Sequence, residues 1–127
     1  MSAITLNDIK AAIVLQPGEH YAGIVLDQKP EHSYHLILLP GSANDVTHEA
    51  ATEWAASIGG DLPTRSEQAL LFANLKDQFE KAAYWAAPRH ESAPDFAWYQ
   101  HFDHGRQLGY HRHLPLRARA VRRLIIQ

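Results

Sequence analysis

The sequence contains no cysteine among its 127 residues. Disulfide bonds, a cysteine nucleophile and thiolate metal sites are therefore excluded, because each of them requires a cysteine sulfur. No apolar stretch approaches the length of a membrane span, and the first residues lack the basic start and long apolar stretch of a secretory signal peptide. The sequence predicts a soluble protein with no membrane partner and no secretion signal.

A strong excess of charge of either sign is also missing. The formal net charge is −2 at neutral pH, with nine histidines counted as neutral. This balance gives no general attraction to nucleic acid or to an anionic membrane surface. Arginines are concentrated near the C-terminus, but strand alternation would disperse them, and we expect them to pair with acids such as Asp61 or Glu67. We therefore do not expect a nucleic-acid partner.

Recognisable catalytic motifs are absent as well. The chain has no G-x-S-x-G segment and no glycine-rich phosphate loop, and His48-Glu49 lacks the second histidine of the metalloprotease motif. The sequence predicts a protein that is not an enzyme and that carries no cofactor.

The hydrophobic pattern predicts one domain over residues 1–127, of the α+β class. Strands over 20–26 and 34–39 predict a β-hairpin within an N-terminal region, residues 1–44. Apolar residues then recur at helical spacing over 46–58, and a second helix follows Thr64 and Glu67, which fit a capping box. Further strands are predicted over 83–87, 96–102, 107–113 and 118–124, with a polar loop over 88–94. Two helices are thus expected to pack on antiparallel sheets.

Four short segments between residues 45 and 124 resemble, in order, the motifs of a bacterial and phage domain family. The family includes the C-terminal domain of the Legionella collagen-like adhesin. The segments are GGDLPTR at 59–65, YWAA at 84–87, AWYQHFDHG at 97–105 and RAVRR at 119–123.

The resemblance implies a C-type-lectin-like core over residues 45–127. Residues 1–44 are not covered by the family motifs, and they either belong to this core or extend it. This fold is shared with formylglycine-generating enzymes and with variable proteins of diversity-generating retroelements, and the chain looks most like small proteins of temperate phages and prophages. The enzymes depend on cysteines, which are absent here, and the lectin calcium motifs EPN and WND are also missing. The resemblance therefore implies a fold more directly than an activity.

The predicted C-terminal hairpin provides the candidate recognition surface. A two-residue turn at His104-Gly105 would pair Asp103 with Arg106 and Tyr99 with Tyr110. Alternation then predicts a core face and an outer face, and a one-residue change of register would exchange them. The core face would carry Phe96, Trp98 and Phe102. The outer face would carry Tyr99, His101, Asp103, Arg106, Tyr110 and Arg112, whose types are common in recognition surfaces. The alternative is a solvated face whose cross-strand pairs stabilise the hairpin.

The same hairpin is rich in histidine. His111 and His113 are two residues apart on one strand face, a spacing that binds zinc or nickel when a third ligand is present. No third ligand is evident, so a metal site is the weaker alternative to imidazoles packed at the edge of the core.

These observations predict a non-enzymatic binding protein of phage or prophage origin. We expect it to recognise a protein or glycan partner through residues 96–113 and the 88–95 loop. Two alternatives stay open: a structural or assembly component of the phage particle, with a homo-oligomer contact, or an intracellular inhibitor of a host protein. In each case the expected location is the host cytoplasm or the phage particle.

Overall fold

The computed structural model describes residues 13–126 and contains two α-helices and eight β-strands in that range, which confirms the α+β class. Residues 1–12 and Gln127, which include part of the predicted N-terminal region, lie outside the described residues. The helices are α1 (His48–Ser57) and α2 (Arg65–Leu75). The strands are β1 (His20–Val25), β2 (Tyr34–Leu38), β3 (Ala43–Val46), β4 (Ala83–His90), β5 (Ala93–His101), β6 (Gln107–His111), β7 (Leu116–Ala118) and β8 (Val121–Ile125).

Strands from the two ends of the described chain form a three-stranded antiparallel sheet in the order β1-β2-β8. The predicted N-terminal hairpin is confirmed as β1 and β2. Tyr34 of β2 lies opposite Ile125 of β8, and Leu38 lies opposite Val121. The hairpin is therefore built into the same sheet as the C-terminal strand.

The other five strands form a sheet in the order β3-β7-β4-β5-β6, so β6 is an edge strand. The prediction of purely antiparallel sheets is wrong at one place, because β4 and β7 pair in parallel, with Tyr84 opposite Arg117. The parallel pair arises because β7 follows β6, which already runs in the same direction as β4, without an intervening hairpin.

Helix α1 begins at a Thr47 cap, whose hydroxyl accepts a hydrogen bond from the backbone N–H of Ala50. Its small residues Ala51 and Ala55 pack on the first core cluster. Other buried members of this cluster are Leu39, Leu62, Trp85, Ala97, Ala118 and Ala120. Gly59, in the left-handed conformation with φ of 83°, follows the end of the helix.

Helix α2 begins with the capping box predicted at Thr64 and Glu67. It packs Leu71 into a second core cluster with Leu36, Leu38 and Phe102. Side-chain hydrogen bonds also join this helix to the sheet. Gln68 donates to the carbonyls of Tyr84 and Trp85, and the Gln100 amide donates to the Gln68 carbonyl. One face of β4 and β5 is thereby fixed against α2.

Two sequence predictions about the C-terminal half are wrong. The polar loop over 88–94 is a continuation of β4 and β5, which are joined by a turn at Glu91 and Ser92. The register shifts between Trp85 and Arg89, and such an irregularity accommodates Pro88 within a strand.

The predicted strand over 118–124 is also divided. It breaks between Ala118 and Val121, so that β7 joins one sheet and β8 the other. The Arg119 guanidinium at this crossing donates to the carbonyls of Leu39 and Gln78, and this holds the crossing in place.

Candidate functional site

The β5–β6 hairpin has a different register from the one predicted. Tyr99 lies opposite Leu108 and Ala97 opposite Tyr110, so the register differs by two residues. The difference arises at Phe102, which leaves the ladder to be buried and stacked on Phe79 with ring centroids 3.9 Å apart. A shift of two residues leaves each paired side chain of β5 and β6 on its original face, so the predicted division into two faces survives within these strands.

Of the three residues predicted to be buried on the core face, two are not buried. Phe102 is buried, but Phe96 is exposed and Trp98 is half-buried. The physical reason is that helices contact both faces of the sheet. Gln68 of α2 is bonded to the face that carries Gln100, and α1 packs on the Trp85 side. The burial of Ala97 and the half-burial of Tyr99 follow from the second contact.

Tyr99, Leu108 and Tyr110 form what we call the tyrosine face. The two tyrosine rings meet edge to face with centroids 5.9 Å apart, and the Tyr110 ring lies 6.3 Å from the buried Trp85 ring. Leu108 and Tyr110 are 46% and 37% exposed. Both therefore present apolar surface to solvent while their backbone is held in the sheet.

The hairpin turn carries Asp103 and Arg106, and His101 is the last residue of β5 before it. The His101 and His104 rings stack with centroids 4.4 Å apart, and each Nδ1 accepts a backbone N–H, from Asp103 and Arg106 respectively. Asp103 and Arg106 are exposed. The two imidazoles thus stabilise the turn, and the charged side chains extend from it into solvent.

Arg112, the last predicted site residue, lies just beyond β6. Its backbone N–H donates to the Asp95 carbonyl, and its carbonyl accepts the N–H of His48. Its Nε is buried without a hydrogen-bond partner among the described residues. The side chain lines a groove beside the N-terminus of α1, with Arg89, Glu49 and Glu53. The structure therefore brings Tyr99 and Tyr110 together but places Arg112 at the end of the tyrosine face.

His48 also lines this groove and is largely buried. Burial lowers the pKa of its imidazole, and this effect outweighs the opposing hydrogen bonds with the carbonyls of Ala86 and Ala87. The positive charges of Arg89 and Arg112 lower the pKa further. His48 therefore favours its neutral form in the folded protein.

Sequence reasoning missed an aromatic ridge on the opposite face of the hairpin. The Arg65 guanidinium lies 3.6 Å from the Trp98 ring centroid, and the His90 ring stacks on Trp98 with centroids 4.7 Å apart. Gly109 makes room for this stack, because a Cβ there would lie 3.1 Å from the His90 ring. A glycine in the middle of a strand was the one sequence signal of this close approach.

The histidine pair considered for metal binding lies at the end of β6. The His111 and His113 rings are 5.2 Å apart, and Nδ1 of His111 accepts the backbone N–H of His113. Within residues 13–126, no three histidine, aspartate or glutamate side chains are grouped so that they could hold a metal ion. The observed contacts of this pair are local ones.

Comparisons with other proteins add no family to these observations. No protein-family model matches the chain, and neither does any curated protein. Neither of the two described helices is both long enough and apolar enough to cross a membrane.

Proposed function

We propose that this chain is a non-enzymatic binding protein with a C-type-lectin-like fold, of phage or prophage origin. In this proposal it acts in the host cytoplasm or in the phage particle and recognises a protein partner through the tyrosine face. The observation that carries the proposal is the exposure of Leu108 and Tyr110 on an edge strand, next to the half-buried Tyr99.

The contacts of the tyrosine face favour binding. Tyrosine is enriched in the energetically important parts of protein interfaces, because a rigid ring buries much area at a small cost in conformational entropy. Tyr110 is held between Tyr99 and Trp85, so much of its entropy is lost before binding. A surface with this arrangement is prepared for a partner.

A protein partner fits the hairpin better than a glycan does. A sugar ring stacks on an open aromatic face, but both Arg65 and His90 already stack on Trp98. The exposed Leu108 side chain offers no hydrogen-bonding group to a sugar hydroxyl. The apolar surface of Leu108 and Tyr110 instead matches apolar side chains of a protein.

The fold and origin in this proposal are supported by the four family-like segments. The first of them ends at the start of α2, where Thr64 is the cap. The second lies in β4, and most of the third lies in β5, with which β4 is paired. The fourth contributes Arg123, which donates to the carboxylate of Asp61 within the first segment. The segments thus contact one another.

A double substitution tests the proposal. We expect Leu108→Lys with Tyr110→Ser to remove a protein that the wild-type chain captures from host lysate at stoichiometric levels. The control is Ile125→Lys, which changes an exposed apolar residue of β8 and should leave capture intact.

Three results would count against the proposal. They are unchanged capture by the double variant, a glycan-array signal that requires the tyrosine face, and sedimentation showing that the face only joins copies of this chain. Circular dichroism of each variant separates loss of binding from loss of folding.

A further inference from the structure

The edge strand β6 has an open backbone. Arg112 donates its N–H to Asp95 of β5, and the Arg106 carbonyl accepts the N–H of His101. Even-numbered residues of this stretch therefore direct their backbone groups towards β5. Because these directions alternate along a strand, Gln107, Gly109 and His111 direct theirs outward.

Little within the described residues occupies that outward edge. The His111 carbonyl accepts the N–H of Leu114, and β5 is the one strand paired with β6. The N–H and C=O groups of Gln107 and Gly109 have no backbone partner on the open side among residues 13–126. An unpaired row of this kind is a template for another extended chain.

The side chains along this edge follow a regular pattern on the tyrosine face. Alternation places Arg106, Leu108, Tyr110 and Arg112 in one row, with a basic residue at each end and two apolar residues between them. A segment that matches this row would be extended and would carry two apolar residues between two carboxylates. These four residues would stand at every second position, so that their side chains lie on one face.

The side chain of Arg106 is exposed and its charge is available to a partner. Arg112 is half-buried and lines the groove beside α1 with Glu49 and Glu53, so it offers its charge less directly. Within the described residues, neither Arg106 nor Arg112 lies within 4.0 Å of a carboxylate, although Asp95 and Asp103 belong to the same hairpin. The Arg112 Nε is buried and has no hydrogen-bond partner there. That atom is out of a partner's reach as Arg112 now lies, so the attraction at this end comes from the positive charge of the guanidinium.

From this geometry we infer that the open edge of β6 binds an extended acidic segment of the partner protein, which adds a sixth, antiparallel strand to the five-stranded sheet. The inference rests on the proposed function and specifies the chemistry of its partner. A second copy of β6 is a poor occupant, because antiparallel pairing centred on Gly109 would place Arg106 opposite Arg112 at both ends.

A short peptide tests the inference directly. The probe is the capped peptide Glu-Thr-Val-Thr-Val-Thr-Glu, which places carboxylates opposite the arginines and valines opposite Leu108 and Tyr110. Added to ¹⁵N-labelled protein, it should shift the amide signals of Gln107, Gly109 and His111. A matched peptide with lysine in place of both glutamates should bind about tenfold more weakly.

Backbone methylation separates strand pairing from simple charge attraction. In the antiparallel pairing that we infer, the threonine amides of the bound peptide face β6, whereas the valine amides face away from it. Methylating the threonine nitrogens should abolish binding, and methylating the valine nitrogens should leave it nearly unchanged. Equal binding of the two methylated peptides would overturn the inference, and so would equal binding of the lysine peptide.

Protein variants complete the test. Arg106→Gln, at an exposed residue, should weaken peptide binding by about fivefold, whereas Lys81→Gln should have little effect. If the acidic peptide fails to bind although Leu108→Lys with Tyr110→Ser abolishes partner capture, the edge-strand inference is wrong and the proposed function stands. If the peptide binds but capture is unchanged, the proposed function fails while the edge chemistry holds.

Discussion

Glu67 joins three elements through one buried carboxylate. Arg123 of β8 donates to both of its oxygens at 2.6 and 2.8 Å, and Tyr34 of β2 donates its hydroxyl to one of them. Burial alone would raise the pKa of Glu67, but hydrogen bonds from Arg123, Tyr34 and the Thr64 backbone outweigh it, and the pKa is lowered. The carboxylate is thus charged in the folded protein at neutral pH.

Substitution of this carboxylate should be costly. We expect Glu67→Gln to lower the free energy of unfolding by about 3 kcal/mol, because Arg123 loses the charge of its buried partner. Urea denaturation measures this change. The control is Asp61→Asn at the exposed partner of Arg123, which should cost less than about 1 kcal/mol. Equal effects of the two substitutions would contradict this account of Glu67.

The free energy of unfolding should fall with acidification in two stages. The pKa of His48 is lowered from its ordinary value of 6.5, so below that pH the unfolded chain binds a proton that the folded chain resists. The pKa of Glu67 is lowered from 4.5, so its contribution is lost as the pH falls below that value.

Urea denaturation between pH 4 and 8 tests whether the stage assigned to His48 precedes the stage assigned to Glu67. His48→Gln should remove much of the decline between pH 6.5 and 5, because a glutamine amide can still donate to the Ala86 carbonyl and does not titrate. An unchanged decline in the variant would show that other groups cause it.

At the scale of the elements, Gly109 positions the aromatic ridge behind β6. We expect Gly109→Ala to displace the His90 ring from Trp98 and to lower the free energy of unfolding by about 1 kcal/mol, because the new Cβ crowds that ring. Nuclear Overhauser contacts between the two rings report the displacement. Intact contacts with unchanged stability would show that the ridge does not depend on this glycine.

Local chemistry explains which elements could be predicted from the sequence. The start of α2 depends on Thr64 and Glu67 alone, and the N-terminal hairpin depends on two short apolar runs. The C-terminal turn depends on Phe102, whose burial against Phe79 involves a distant segment. The break before β8 likewise depends on Arg119, which bonds to Leu39 far away in the chain. Patterns of neighbouring residues in the sequence indicate neither of these long-range contacts.

For the candidate site, the contacts within the hairpin could be predicted from the sequence, and the contacts with other elements could not. Tyr99 and Tyr110 share a face because side chains alternate along strands, and this holds under the observed two-residue change of register. Arg65 and His90 belong to other elements, so their stacking on Trp98 could not be read from the hairpin sequence. The Arg112 groove depends on α1 in the same way.

At the scale of the whole molecule, the N-terminal hairpin completes the second core cluster. Ala22, Leu36 and Leu38 pack there with Leu71 and Val121. Removing residues 1–44 would also leave β8 without its neighbour β2. We expect the fragment 45–127 to be unfolded, with poorly dispersed amide signals, while the full chain unfolds in one transition. A folded fragment would contradict the prediction of a single domain.

The most direct measurement of the central claim is site-specific photo-crosslinking in host cells. A photoreactive phenylalanine derivative at position 110 should crosslink one partner protein, because Tyr110 lies on the exposed tyrosine face. The same derivative at position 125, on the other sheet, should not capture that protein. If both positions crosslink the same proteins, or if position 110 captures nothing under conditions in which the partner is present, the hairpin is not the recognition surface.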